Sequence, residues 1–177
     1  MCCQPGWRVT IGAVWLVGLC VAVGFKPPSV IAADGVPIAV FDIELLDTSL
    51  EGEIKGINEA EQQRLVLVSN LLRKMLHESE RYDVVDLALI AGEIESGGNW
   101  QGCNGCDASL AAKLGATYSV TGVVQKVSNL ILNITIYFRD TKTRKIVQVA
   151  GADIRSNTDK SWSRGVSWLV RNRLLKN

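Results

Sequence analysis

The chain has 177 residues, 47% of them hydrophobic and 21% charged, with a formal net charge of +1. That composition is that of an ordinary globular protein and excludes a disordered or low-complexity chain. No internal repeat is present, and the length beyond a leader fits one domain with its own core.

Residues 1–33 read as a secretory signal. Arg8 supplies the positive start, Val9 to Phe25 form an uncharged apolar run, Lys26-Pro27-Pro28 breaks it, and Ser29 to Ala33 offer small residues for cleavage after Ala32 or Ala33. A run of this length is at the short edge of what crosses a bilayer, so an uncleaved inner-membrane anchor is the alternative to a periplasmic protein. Leu19 before Cys20 disfavours lipidation. The expected organisation is therefore a signal peptide, 1–33, and one globular domain, 34–177.

Without the leader the formal charge is −1, but it is unevenly spread. Residues 34–107 carry 15 acidic and five basic side chains, whereas residues 108–177 carry three acidic and twelve basic ones. Either the halves neutralise one another on packing, the reading favoured here, or a polar molecule shows a basic face to an anionic partner.

Pro37 to Leu46 is predicted as a strand covered on both sides at its start, and Asp47 to Gly56 as a loop. Asn58 caps a helix to about Ser79, with Leu65, Val68, Leu72 and Met75/Leu76 as its apolar stripe. Tyr82–Asp86 is a short strand, and Leu87–Ile94 a helical turn or two. Ser96-Gly-Gly-Asn99 breaks the chain before a compact helix, 107–114, that stops at Gly115. Strands follow at 118–127, 130–139 and 145–155, joined by Ser128-Asn129 and the polar tip Asp140–Thr143. A last helix starts between Asn157 and Asp159 and buries Trp162, Val166, Leu169/Val170 and Leu174. The fold class is α/β (α+β): a single mixed sheet with packed helices in the order β-α-β-α-β-β-β-α.

Cys103-Asn-Gly-Cys106 is the one cysteine pair outside the leader. In an oxidising compartment a structural disulfide, stapling a Gly-rich loop to a helix start, is favoured. A thiol–disulfide accessory role is the alternative, because the pair precedes a helix. Asp107 next to Cys106 opposes a thiolate, Trp100 is displaced from the pair, and the element order is not that of thioredoxin. Haem attachment would need histidine where Asp107 stands, and two cysteines with a distant His77 make no zinc set.

No nucleophile elbow, phosphate loop or zinc-protease motif is present, so no catalytic residue, metal ligand or cofactor is assigned. Asp42 and Glu44 fall on one strand face and Asp83 and Asp86 bracket another strand, carboxylates expected to be solvated or capping. On the last helix, Trp168 lies off the apolar stripe. With Arg171 and Arg173 it forms the candidate partner contact.

Three segments resemble a group of bacterial envelope domains that includes the N-terminal domain of TolB, the outer-membrane activators of penicillin-binding proteins and the curli secretion lipoprotein. They are Ala39-Val-Phe-Asp42, Arg81-Tyr-Asp-Val-Val-Asp86 and Leu114-Gly-Ala-Thr-Tyr-Ser-Val-Thr-Gly122. More closely, Gln101-Gly-Cys-Asn-Gly-Cys-Asp107 and Gly122 to Asn133 resemble a proteobacterial secreted domain-of-unknown-function family (2380/3280 type). The chain departs from the activators in lacking a lipid-attachment cysteine and from TolB in showing no propeller. The resemblance implies a non-catalytic envelope adaptor or accessory protein whose partner is another envelope protein, not nucleic acid.

Overall fold

The computed structural model describes residues 35–97 and 99–176, and the expected leader lies outside the described residues. Strand β1 (Val36–Asp47) pairs in parallel with β2 (Tyr82–Val84) on one side and with β3 (Tyr118–Ser128) on the other. From β3 the chain runs as a meander through β4 (Ile131–Asp140) and β5 (Ile146–Ile154), both junctions antiparallel, giving the order β2-β1-β3-β4-β5. The split follows from the connections. Parallel neighbours need long crossovers, which the helices supply, whereas links as short as Asn129-Leu130 allow only a hairpin. The mixed sheet and the expected element order are borne out.

The helices are α1 (Leu50–Lys55), α2 (Glu59–His77), α3 (Ala91–Gly97), α4 (Cys106–Lys113) and α5 (Asp159–Leu169), the last continuing as a π turn over Val170–Leu174. Alternation along the strands sends Ile38, Val40, Val120, Val124, Ile134, Ile136 and Phe138 to one face, where α2 and α5 cover them with Leu65, Val68, Leu72, Trp162 and Val166. Ala39 and Phe41 point the other way, into a smaller core made with Ile90, Trp100, Leu110 and Ala111. Beyond that second core the sheet is open: Asn133, Thr135 and Tyr137 of β4 are half-buried, and Val149 of β5 is exposed.

Asp47–Gly56, expected as a loop, contains α1. Ser49 makes the difference, because its hydroxyl accepts the Gly52 N–H and caps a helix that carries Glu51 and Glu53 at its positive end. The expected Asn58 cap is present, its side chain accepting the Ala60 N–H at 3.0 Å. Thr158 caps α5 in the same way, accepting the Ser161 N–H. Gly115 takes φ of 72° at the end of α4, as expected.

The placement of Asp42 and Glu44 on one face is corrected by a bulge. The register of β1 against β3 shifts between Val40 and Ile43, so Val40 and Ile43 both face α2. Asp42 then leans to α2 and pairs with Arg73 at 2.7 Å, while Glu44 accepts the Trp100 N–H at 2.8 Å. The bulge frees backbone groups that α2 takes up. Ser69 accepts the Ile43 N–H, and Arg73, one turn on, donates to the Val40 carbonyl. Opposite Ile43 stands Gly122, where a Cβ would lie 2.9 Å from the Ile43 Cγ1. The glycine in the resemblance segment is there for that approach.

Candidate functional site

The sequence points to two places: the cysteine pair and the outer face of α5. Cys103 and Cys106 are joined, with their Cα atoms 5.5 Å apart. The turn between them places Asn104 and Gly105 at φ of 45° and 102°, a path into α4 that suits this Asn-Gly pair. Both cysteines pack on the smaller core, where the Trp100 ring lies 4.6 Å from that of Phe41. The buried Asp107 carboxylate accepts the Ser119 hydroxyl at 2.6 Å and pairs with Arg139 at 3.3 Å, both through Oδ2, which ties the start of α4 to β3 and β4. Its buried Oδ1 has no hydrogen-bond partner among the described residues. Nearby, burial raises the Glu44 carboxyl, and the N–H groups of Trp100 and Gln101 offset part of that rise. These contacts fit a bridge that holds a loop onto a core.

Trp168 is 46% exposed on the outer face of α5. Lys160, Arg164 and Trp168 recur every four residues, and the exposed Arg171 follows one turn later, so they form one stripe. The π turn adds Arg173. Leu175 N–H reaches the Val170 carbonyl, and this wider turn brings the Arg173 guanidinium over the Trp168 ring at 5.5 Å. At about 100° per residue, an α-helix would set residues five apart on separate faces. Arg173 is further held by its carbonyl, which accepts from Gln148 of β5.

Shallow grooves flank the tryptophan. One, of about 550 Å³, lies among Lys160, Arg164, Trp168, Arg171 and Asn172. The other, about 520 Å³, runs between Trp168 and Arg164 and the Gly151–Arg155 end of β5, with Asp153 on its wall. Both readings of the charge asymmetry find support. Lys113, Lys126 and Arg139 of the second half pair with carboxylates of the first half, as do Arg64 and Asp159 in the opposite sense. Among the described residues, Arg155, Lys160, Arg164 and Arg171 have no carboxylate partner within ion-pair distance.

The family described as "Protein of unknown function (DUF2380)" matches residues 36–174. The chain belongs to this family. The resemblance drawn from Gln101–Asp107 and Gly122–Asn133 is thereby borne out. No curated protein sequence matches the chain. Among solved structures, the C-terminal domain of LpoB from Salmonella enterica shares 13% identity over 72% of this chain and 87% of its own, with a TM-score of 0.50. Lipoprotein GNA1162 from Neisseria meningitidis covers 80% of this chain and 98% of its own at 14% identity and a TM-score of 0.46. TolB from Acinetobacter baumannii covers 80% and 28% at 14% identity and 0.43. The LpoB likeness shows that the family member has an LpoB-like fold.

One polar cluster was missed in the sequence. The Lys126 ammonium on β3 is buried, bonded to Glu61 of α2 at 2.7 Å and to Asp47 of β1 at 3.0 Å, with Glu51 of α1 at 3.8 Å. Asn157, ahead of α5, also donates to Glu61. A signal existed: Lys126 has the parity of the buried Val120 and Val124, and Glu61 precedes Leu65 by one turn on the apolar stripe. Of the other carboxylates, Asp86 accepts the Ala88 N–H and Asp83 is half-buried on β2, and His77 is exposed. No helix among the described residues is long and apolar enough to cross a membrane.

Proposed function

We propose that this chain is an exported envelope accessory protein that acts by binding, and that it holds a partner of negative charge on the Trp168 face of α5. The carrying observation is an exposed tryptophan set among unpaired cations. A large ring shown to solvent supplies contact area at little conformational cost, and its cationic neighbours favour acidic groups. The LpoB-like fold and the resemblance to envelope domains that work by binding support the accessory role. Residues 1–33 act as the signal, and the domain from Asp34 works in the periplasm.

The test is crosslinking in the native envelope from a photoreactive residue on α5, comparing wild type with Trp168→Ala and Arg171→Glu. Partner yield is expected to fall about tenfold in each variant, the scale of a lost hot spot. Equal yields remove the site. Mass spectrometry of the chain recovered from the periplasm is expected to find its N-terminus next to Ala32 or Ala33. Recovery of the intact chain in the inner membrane replaces the periplasmic reading with the anchored one.

A further inference from the structure

The two sheet edges are unlike. β2 has three residues, carries Asp83 and is followed by Asp86, which is how an edge is kept from pairing. β5 has nine residues and, among the described residues, pairs only with β4. It contains no proline and one charged residue, Asp153, which accepts a bond from Asn133 across the strand pair. A bulge sits near its start, between the pairs Arg139–Ile146 and Phe138–Gln148. From Gln148 to Ile154 the register is unbroken, which leaves a regular free edge. Val147 and Val149 beside it are more than half exposed.

Resting on the binding role proposed above, we propose that the β5 edge takes up an extended acidic segment of a partner protein as an added strand. Main-chain bonds to β5 would hold the segment, and alternate side chains would go to opposite faces. On the helix side they enter the groove between Ala152 and Ile154 of β5 and Arg164 and Trp168 of α5, where carboxylates meet Arg164. On the open side they continue the surface of Val149 and Tyr137, which suits β-branched residues. The occupant is therefore an alternation of acidic and apolar residues. A second copy docking through its own β5 would set two cationic rims against each other, and its β2 is too short to fill the edge.

The experiment uses the domain from Asp34 and a blocked nine-residue peptide alternating glutamate and valine, with a lysine–valine peptide as control. Two further glutamate peptides carry N-methyl groups on one or the other alternating set of amides, which removes ladder donors without altering the protein. The glutamate peptide is expected to bind about tenfold more tightly than the lysine peptide and to slow β5 amide exchange about tenfold. One N-methylated peptide loses about tenfold in affinity and the other retains it. Equal affinity of the two methylated peptides, protection away from β5, or no preference for glutamate overturns strand addition. Protection of β5 that grows with protein concentration alone assigns the edge to a second copy and overturns the acidic occupant. If Trp168→Ala abolishes crosslinking to the native partner while β5 stays unprotected in the complex, the binding role stands and strand addition fails.

Discussion

Glu61 of α2 and Lys126 of β3, each 1% exposed, meet at 2.7 Å inside the packed face of the sheet. Asp47 adds a second carboxylate from β1 at 3.0 Å and Glu51 of α1 a third at 3.8 Å, so one cation on β3 ties together elements distant in sequence. Burying such a pair adds little by itself, because desolvation offsets the attraction. Removing one member leaves the other buried without compensation. Lys126→Met is therefore expected to cost about 3–5 kcal/mol in urea unfolding, and the double variant Lys126→Met/Glu61→Leu to recover part of the loss. A single-variant loss below about 1 kcal/mol would mean the pair is solvated when folded.

The same cluster sets a pH dependence. Burial alone would raise Asp47, but bonds from Ser49 and Lys126 hold it below its ordinary 3.8. Burial alone would lower Lys126, and Glu61 and Asp47 instead lift it above 10.5. Asp47 thus contributes stability that is complete above its unfolded pKa and disappears as pH falls through the folded one. Lys126 contributes stability that is complete below its unfolded pKa and disappears as pH rises through the folded one. Unfolding free energy is expected to be flat between about pH 5 and 9 and to drop at both ends, with the alkaline drop smaller in Lys126→Met. Identical alkaline limbs in the two proteins would exclude Lys126 as their source.

How much could be read from the sequence depended on the range of each interaction. Period and parity located the strands and the α2 stripe, and local chemistry located the Asn58 cap and the Gly115 stop. What failed was what depends on a distant element. The face of Asp42 changed because a bulge answered by Ser69 and Arg73 sits next to it, and the bulge requires the β1–β3 register. The ring contact of Arg173 with Trp168 depends on a π turn that no helical period foretells. Lys126 and Glu61 have inward parity, but their burial depends on a pairing between β3 and α2 that only the assembled fold brings together. The free β5 edge needs the strand order, which neither parity nor composition contains.

Ser69 offers a separate test of that bulge. Its hydroxyl accepts the Ile43 N–H at 2.9 Å and donates to the Leu65 carbonyl at 2.7 Å, all of it buried. Ser69→Ala leaves an amide without a partner in the core. The expected loss is about 1–3 kcal/mol, with amide exchange at Ile43 quickened beyond the global change. A loss under about 0.5 kcal/mol with unchanged exchange would show that the bulge N–H finds another acceptor.

The Cys103–Cys106 bridge closes a very short loop, so its effect on the unfolded chain is limited. Loop entropy gives about 2 kcal/mol for a ring of this size. Cys103→Ser/Cys106→Ser is expected to lower unfolding free energy by that amount, to alter Trp100 emission because the bridge packs on the same core, and to leave partner crosslinking at Trp168 unchanged. The oxidised pair holds the Asn104-Gly105 turn at the head of α4 and rests against buried side chains, which favours the bridged state. Its reduction potential, measured against a glutathione or dithiothreitol series, is expected below about −300 mV, the range of structural bridges. A value near those of thiol oxidoreductases, together with lost activity of a client in the double variant, would reassign the pair to redox work and make the α5 face secondary.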